Sequence, residues 1–128
     1  MENKPICEID TYGHKYWFLN GKLHREDGPA AEYNTGNKEW YINDILHRED
    51  GPAIDCKDGT KFWFVHGVQH RLDGPAIIWA DGVKEWCVND IEITEEITKW
   101  AKELSIDLDN LSEVDIALIK IVWADYGK

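Results

Sequence analysis

The chain has 128 residues, seven of them Trp, and a formal net charge of −11. That length suits one domain, or one small domain with an appendage. The charge argues against direct nucleic-acid binding, which selects Lys and Arg for the phosphates, and against docking on anionic membranes. It suits a partner with a basic surface. No apolar stretch reaches transmembrane length, and the charged, Pro-containing segment Met1 to Asp10 does not read as a signal peptide. Three cysteines, Cys7, Cys56 and Cys87, with no C-x-x-C pair, fit reduced thiols and a cytoplasmic location.

A 23-residue repeat dominates the first ninety residues. His24 to Leu46, His47 to Gln69 and His70 to Glu92 each open on H-R-x-D-G-P-A, and Trp17, Trp40, Trp63 and Trp86 recur at that interval. The segment before His24 is a degenerate copy, with Pro5 in the place of Pro29 and one extra residue near Tyr12-Gly13. Asp58-Gly59 and Asp81-Gly82 read as type I′ hairpin turns, with Thr35-Gly36 in the same place. Asn20-Gly21, Asn43-Asp44, His66-Gly67 and Asn89-Asp90 form a second series of two-residue turns. Short aromatic and β-branched runs lie between them, which is strand chemistry.

Two-residue loops at these places put Ile54 opposite Trp63, Ile77 opposite Trp86, and Trp63 opposite His70. One face then carries the Trp series, Leu19, Ile42, Val65 and Val88, together with Ile9, Tyr33, Cys56 and Trp79, and is the expected core. The other face carries Tyr16, Phe18, Tyr41, Phe62, Phe64 and Cys87, interleaved with Glu8, Glu32, Asp55 and Ile78. If it stays exposed, Phe18, Tyr41, Phe62 and Phe64 are candidate anchors for a protein partner.

H-R-x-D-G-P-A followed by D-G and Trp resembles the MORN-variant repeats of bacteria and tailed phages. The resemblance covers roughly residues 5–93. It implies an elongated, twisted antiparallel sheet of successive hairpins, and a scaffold for binding or assembly with no catalysis and no cofactor. Small acidic phage proteins of this kind suggest an inhibitor of a host system, of the anti-defence or anti-CRISPR sort. By analogy of family, the partner is a host protein with a basic surface, such as a nucleic-acid-binding complex, met in the host cytoplasm.

After Asp90 the pattern ends. Thr94 with Glu95 and Glu96 reads as a helix start, and Ile97, Trp100, Ala101 and Leu104 fall on one helical face. Ser112 with Asp115 reads as a capping box. From Val114 to Tyr126 the chain is apolar almost all round; helix is the expectation, although so β-branched a run also fits a strand. Such a helix caps the open end of the repeat sheet. It also offers Ile116, Ile119 and Trp123 for homodimerisation. Between the two helices, Glu103, Asp107, Asp109, Glu113 and Asp115 form an acidic strip, a solvated loop or a second contact for a basic partner.

The expected architecture is therefore mainly β: four hairpin units over residues 1–93 and a helical cap or interaction segment over 94–128. His24, His47 and His70, with Asp27, Asp50 and Asp73, invite a metal or general-base reading. Equivalent residues should lie two or three strands apart, at about 4.8 Å per strand, which is too far for one ion. No nucleophile elbow, phosphate loop or HExxH motif is present. Two functions remain: a non-enzymatic protein-binding module, or a structural protein that self-associates.

Overall fold

A computed structural model describes residues 3–128. The architecture is mainly β: one long antiparallel sheet built of hairpins, three small two-stranded sheets beside it, and two C-terminal helices. The first hairpin is β1 (Ile6–Ile9) and β2 (Lys15–Leu19), with β3 (Lys22–Leu23) folded back on β2. Each later unit has four two-residue strands. These are β4 (Ala31–Glu32), β5 (Lys38–Glu39), β6 (Tyr41–Ile42) and β7 (Ile45–Leu46); then β8 (Ile54–Asp55), β9 (Lys61–Phe62), β10 (Phe64–Val65) and β11 (Val68–Gln69); then β12 (Ile77–Ile78), β13 (Lys84–Glu85), β14 (Cys87–Val88) and β15 (Ile91–Glu92). The first two strands of every unit join the long sheet, in the order β1-β2-β4-β5-β8-β9-β12-β13. The last two make a separate hairpin that departs at the Trp.

The second turn series has the two-residue loops expected of it, and the Asp-Gly series does not. Asn20-Gly21, Asn43-Asp44, His66-Gly67 and Asn89-Asp90 have positive φ at both positions, which is the type I′ turn. At the Asp-Gly positions only the glycine is left-handed, with φ of +101° at Gly59 and +91° at Gly82. Cys56 N–H donates to the Thr60 carbonyl, so the loop holds three residues, Lys57 to Gly59. That one extra loop residue slips the register: Ile54 pairs with Phe62, not Trp63, and Ile77 pairs with Glu85, not Trp86. The first hairpin has the same loop, since Asp10 N–H bonds His14 O. Its turn is therefore not lengthened, and Pro5 stands one position before the equivalent of Pro29.

The slip redistributes the faces, because directly paired residues point to the same side of a sheet. Tyr33, Cys56 and Trp79 lie with Tyr16, Glu39, Phe62 and Glu85 rather than with the Trp series. Glu32 and Asp55 face Lys15, Lys38 and Lys61 on the opposite side, and Lys61 Nζ reaches Asp55 at 2.7 Å. The expected core face is thus core only at its C-terminal end, where Trp86 and Val88 are buried. Ile9 and Trp79 are exposed, and Trp17, Trp40 and Trp63 are only half-buried. Away from the helical end, the fully buried side chains described in the repeats are small: Ala30, Ala31, Ala53 and Ala76.

The large core sits at the C-terminal end. Helix α1 (Thr94–Glu103) and helix α2 (Glu113–Trp123) close over Trp86, Val88 and Ile93 with Ile97, Ile119 and Trp123, backed by Leu72, Trp100, Leu108 and Leu111. Residues 113–123 are thus a helix, and the Ser112–Asp115 capping box forms as expected. Thr94 has a different task from the one expected. The N-cap position is Ile93, with no side-chain cap, and Thr94 Oγ1 accepts instead from Trp86 N–H at 3.0 Å. Trp17, Trp40 and Trp63 give that same N–H to Ala30, Ala53 and Ala76 of the following unit. Trp86 has no following unit, so the first residue of α1 supplies the missing acceptor. Asn89 Nδ2 then donates to the Ala124 and Tyr126 carbonyls, which seats the chain end on the last turn. Among the described residues no helix is long and apolar enough to cross a membrane.

Candidate partner-binding groove

The repeat motif builds a rigid loop from the Arg outward. Arg48 lies 3.8 Å above the Trp40 ring, donates from Nε to Asp50 at 2.9 Å, and donates from a terminal nitrogen to the Pro52 carbonyl at 3.0 Å. Arg25 on Trp17 and Arg71 on Trp63 repeat the arrangement. A stacked, doubly hydrogen-bonded guanidinium is a geometry that Lys does not reproduce. The glycine of the motif is required by this packing rather than by a left-handed turn. A Cβ on Gly51 would meet Arg48 Cζ at 2.6 Å, and the Trp ring on the other side of the guanidinium blocks its retreat.

The motif histidines tie the opening of each unit to its last turn. His24, His47 and His70 accept through Nδ1 from the backbone N–H of Asn43, His66 and Asn89, the first residue of the second turn in the same unit. Asp44 and Asp90 return the favour by accepting from Leu23 and Gln69 N–H. His47, Glu49 and His66 bring one potential ligand atom each within 4.8 Å of one another. A metal-bound imidazole ordinarily donates from its second nitrogen. The second nitrogen of His47 accepts from a backbone N–H, so ligation through Nε2 would forfeit the staple.

Within the motif the x position varies, and it reads Glu26, Glu49, Leu72. Leu72 packs against the helical core. Glu26 and Glu49 project into solvent, with side chains 83% and 77% exposed, each with one oxygen near Nε2 of its motif histidine, 3.6 Å from His24 and 3.8 Å from His47. Between their two loops lies an open groove of about 940 Å³. Trp40, Ile42 and Ile45 supply its apolar surface, Asn43, His47 and His66 its neutral polar groups, and Arg25, Glu26, Asp27, Arg48, Glu49 and Asp50 its charged margins. Asp27 and Asp50 are partnered by the stacked arginines, and Arg48 holds the Asp50 carboxyl below the usual carboxylate range. A smaller groove, about 520 Å³, repeats the plan one unit earlier around Trp17, Leu19, His24 and Glu26, with Lys4 and Pro5 on its far side.

The other candidate residues are placed less favourably. Phe18, Tyr41, Phe62 and Phe64 are all half-buried. Phe62 packs edge-on to Trp79, and the Tyr41 hydroxyl donates to Glu39, with burial first and that carboxylate second pushing its pKa up to about 12. The acidic strip is largely committed to the cap. Asp109 binds Lys84, Asp107 accepts from Asp109 N–H, and Asp115 closes the capping box; Glu103 and Glu113 remain exposed. Ile119 and Trp123 are buried in the chain's own core and Ile116 is half-buried, so these three do not form an exposed dimer surface. The groove was missed because the glutamates look like filler in the sequence. Their variation inside an otherwise fixed motif was the available signal. Burial raises the Cys87 thiol pKa to about 11, as suits an unreactive core thiol. No family model, no curated protein and no solved structure matches the chain.

Proposed function

We propose that this protein is a non-enzymatic binding scaffold of the MORN-variant type that occupies a basic surface of another protein, as a small acidic inhibitor of a host system in the cytoplasm would. The observation that carries the reading is the groove. Its apolar floor of Trp40, Ile42 and Ile45 is partly exposed, and its outward-pointing carboxylates, Glu26 and Glu49, touch the scaffold only through long contacts to His24 and His47. Apolar and aromatic contact surface supplies affinity, while a net charge of −11 steers a cationic partner and speeds encounter. Affinity capture from a host lysate, followed by kinetics on the captured partner, tests this. Glu26→Lys with Glu49→Lys should weaken binding by at least about tenfold through like-charge repulsion. Reversal of Asp107 and Glu113 should leave dissociation unchanged. Equal binding by parent and groove variant would remove the groove from consideration, and failure to capture any basic protein would remove the reading.

A second reading, self-association, is favoured by α2. Its outward face shows Val114 and Ile121, 76% and 80% exposed, with Ala117 and Leu118 completing one helical stripe. In an antiparallel pair about a two-fold axis, Val114 meets Ile121 of the second copy, and Glu113 meets Lys120 on the same flank. Sedimentation should then show a dimer that Ile121→Glu abolishes; a monomeric parent at high concentration overturns this.

A further inference from the structure

Successive units advance by two strands of the long sheet, about 9.6 Å at roughly 4.8 Å per strand. Carried from the strands to the loops, that repeat sets Glu26 and Glu49 about 9.6 Å apart on either side of the Trp40 groove. A polyproline II segment has three residues per turn and rises about 3.1 Å per residue, so its residues i and i+3 share a face about 9.3 Å apart. An extended strand offers no match, because i and i+3 point to opposite sides and i and i+2 are only about 6.8 Å apart.

We infer that the Trp40 groove receives a basic, proline-rich segment in the polyproline II conformation, with two cationic side chains three residues apart, one to Glu26 and one to Glu49. The inference rests on the protein-binding reading and narrows it to a peptide class. Aromatic-floored grooves suit this ligand, whose fixed backbone loses little entropy on docking. Its carbonyls are not bonded internally, and Asn43 and His66 line the groove with side-chain donors. An α-helix spends its carbonyls internally and presents a cylinder about 10 Å across. The site ends where Leu72 replaces the glutamate and turns into the cap, so the geometry offers two cation positions rather than an indefinite track. Arg25 and Arg48 on the groove margins are each paired with an aspartate, Asp27 and Asp50, which offsets their charge toward an incoming cation.

Three synthetic peptides of equal charge test this on the full chain: arginines at i and i+3 in a proline frame, arginines at i and i+2, and arginines at i and i+7 in a helix-forming frame. Titration followed by Trp fluorescence and calorimetry should give saturable one-to-one binding of the first. The other two should bind more weakly by about twofold to fivefold, the contribution of one partly exposed ion pair. Glu26→Gln and Glu49→Gln, both at exposed sites that preserve the scaffold, should each remove that preference. Equal affinity for all three peptides, tighter binding of the helical one, or no binding of any overturns the inference. If none binds while a captured basic protein still loses affinity to the Glu26→Lys, Glu49→Lys protein, the protein-binding reading stands and only the peptide class falls.

Discussion

Ile119→Ala should lower the free energy of unfolding by about 2–5 kcal/mol, near the upper end of that range, whereas Ile121→Ala should stay within about 0.5 kcal/mol of the parent. The two residues are two apart on α2 and chemically identical, but they face opposite ways. Ile119 is fully enclosed by Trp86, Val88, Ile93, Ile97 and Trp123, and its deletion leaves a cavity that rigid aromatic neighbours cannot fill. Ile121 is the most solvent-exposed large apolar side chain of the helix. Denaturant midpoints at constant slope measure both. Similar losses for the pair would mean that α2 is rotated from the orientation described. Because total stability for a domain of this size is about 5–15 kcal/mol, Ile119→Ala should also expose the cap to proteolysis.

The second large effect is acid sensitivity centred on His70. Its Nδ1 accepts from Asn89 N–H at 3.0 Å, next to the turn on which the chain end is seated. Burial, and secondarily the charge of Lys128, lowers its pKa from the ordinary 6.5. A base with a depressed pKa binds fewer protons when folded than when unfolded, so its contribution is intact above about pH 6.5 and is lost as pH falls from there through the folded-state value. Protonation also sets a donor against the Asn89 N–H, leaving a part-buried donor unsatisfied at about 1–3 kcal/mol. Denaturation from pH 8 to 5 should show falling stability in the parent. His70→Asn, whose amide oxygen occupies a similar place without titrating, should flatten the curve across that window. A parent curve that is already flat there would count against the staple as a proton-sensitive element.

The repeat, the hairpin architecture, the helices after Ile93 and the capping box at Ser112 were legible because each is a local pattern with its own chemistry. The register at the second series of turns was legible too, with Trp63 opposite His70 as expected; at the Asp-Gly turns it was not, and one turn explains why. Asp-Gly serves both the two-residue type I′ loop and the three-residue loop that ends on a left-handed glycine. Nothing within Asp58-Gly59 tells them apart. The error moved Tyr33, Cys56 and Trp79 to the wrong side and made half-buried tryptophans look like a core. The buried face of α2 was hidden for a different reason: a helix apolar almost all round points in no preferred direction, so Ile119 and Val114 look alike until packing separates them. The acidic strip misled because loop carboxylates that bond backbone N–H groups have the same composition as a contact surface. The groove lay in the one variable letter of the motif, which draws no notice beside its fixed neighbours.

The bonds that hold the units repeat from one to the next: a histidine nitrogen on its own unit's last turn, and an Ala carbonyl on the preceding unit's Trp N–H. Each unit is therefore held by its neighbours and not by its place in the chain. The molecule is a ruler with an end-stop. Splicing one more copy of residues 47–69 after Leu46 would lengthen it by about 9.6 Å and leave the helical stop untouched. Reach then becomes a matter of counting, and a gene can adjust it by duplicating or dropping a short in-frame segment without redesigning a single contact.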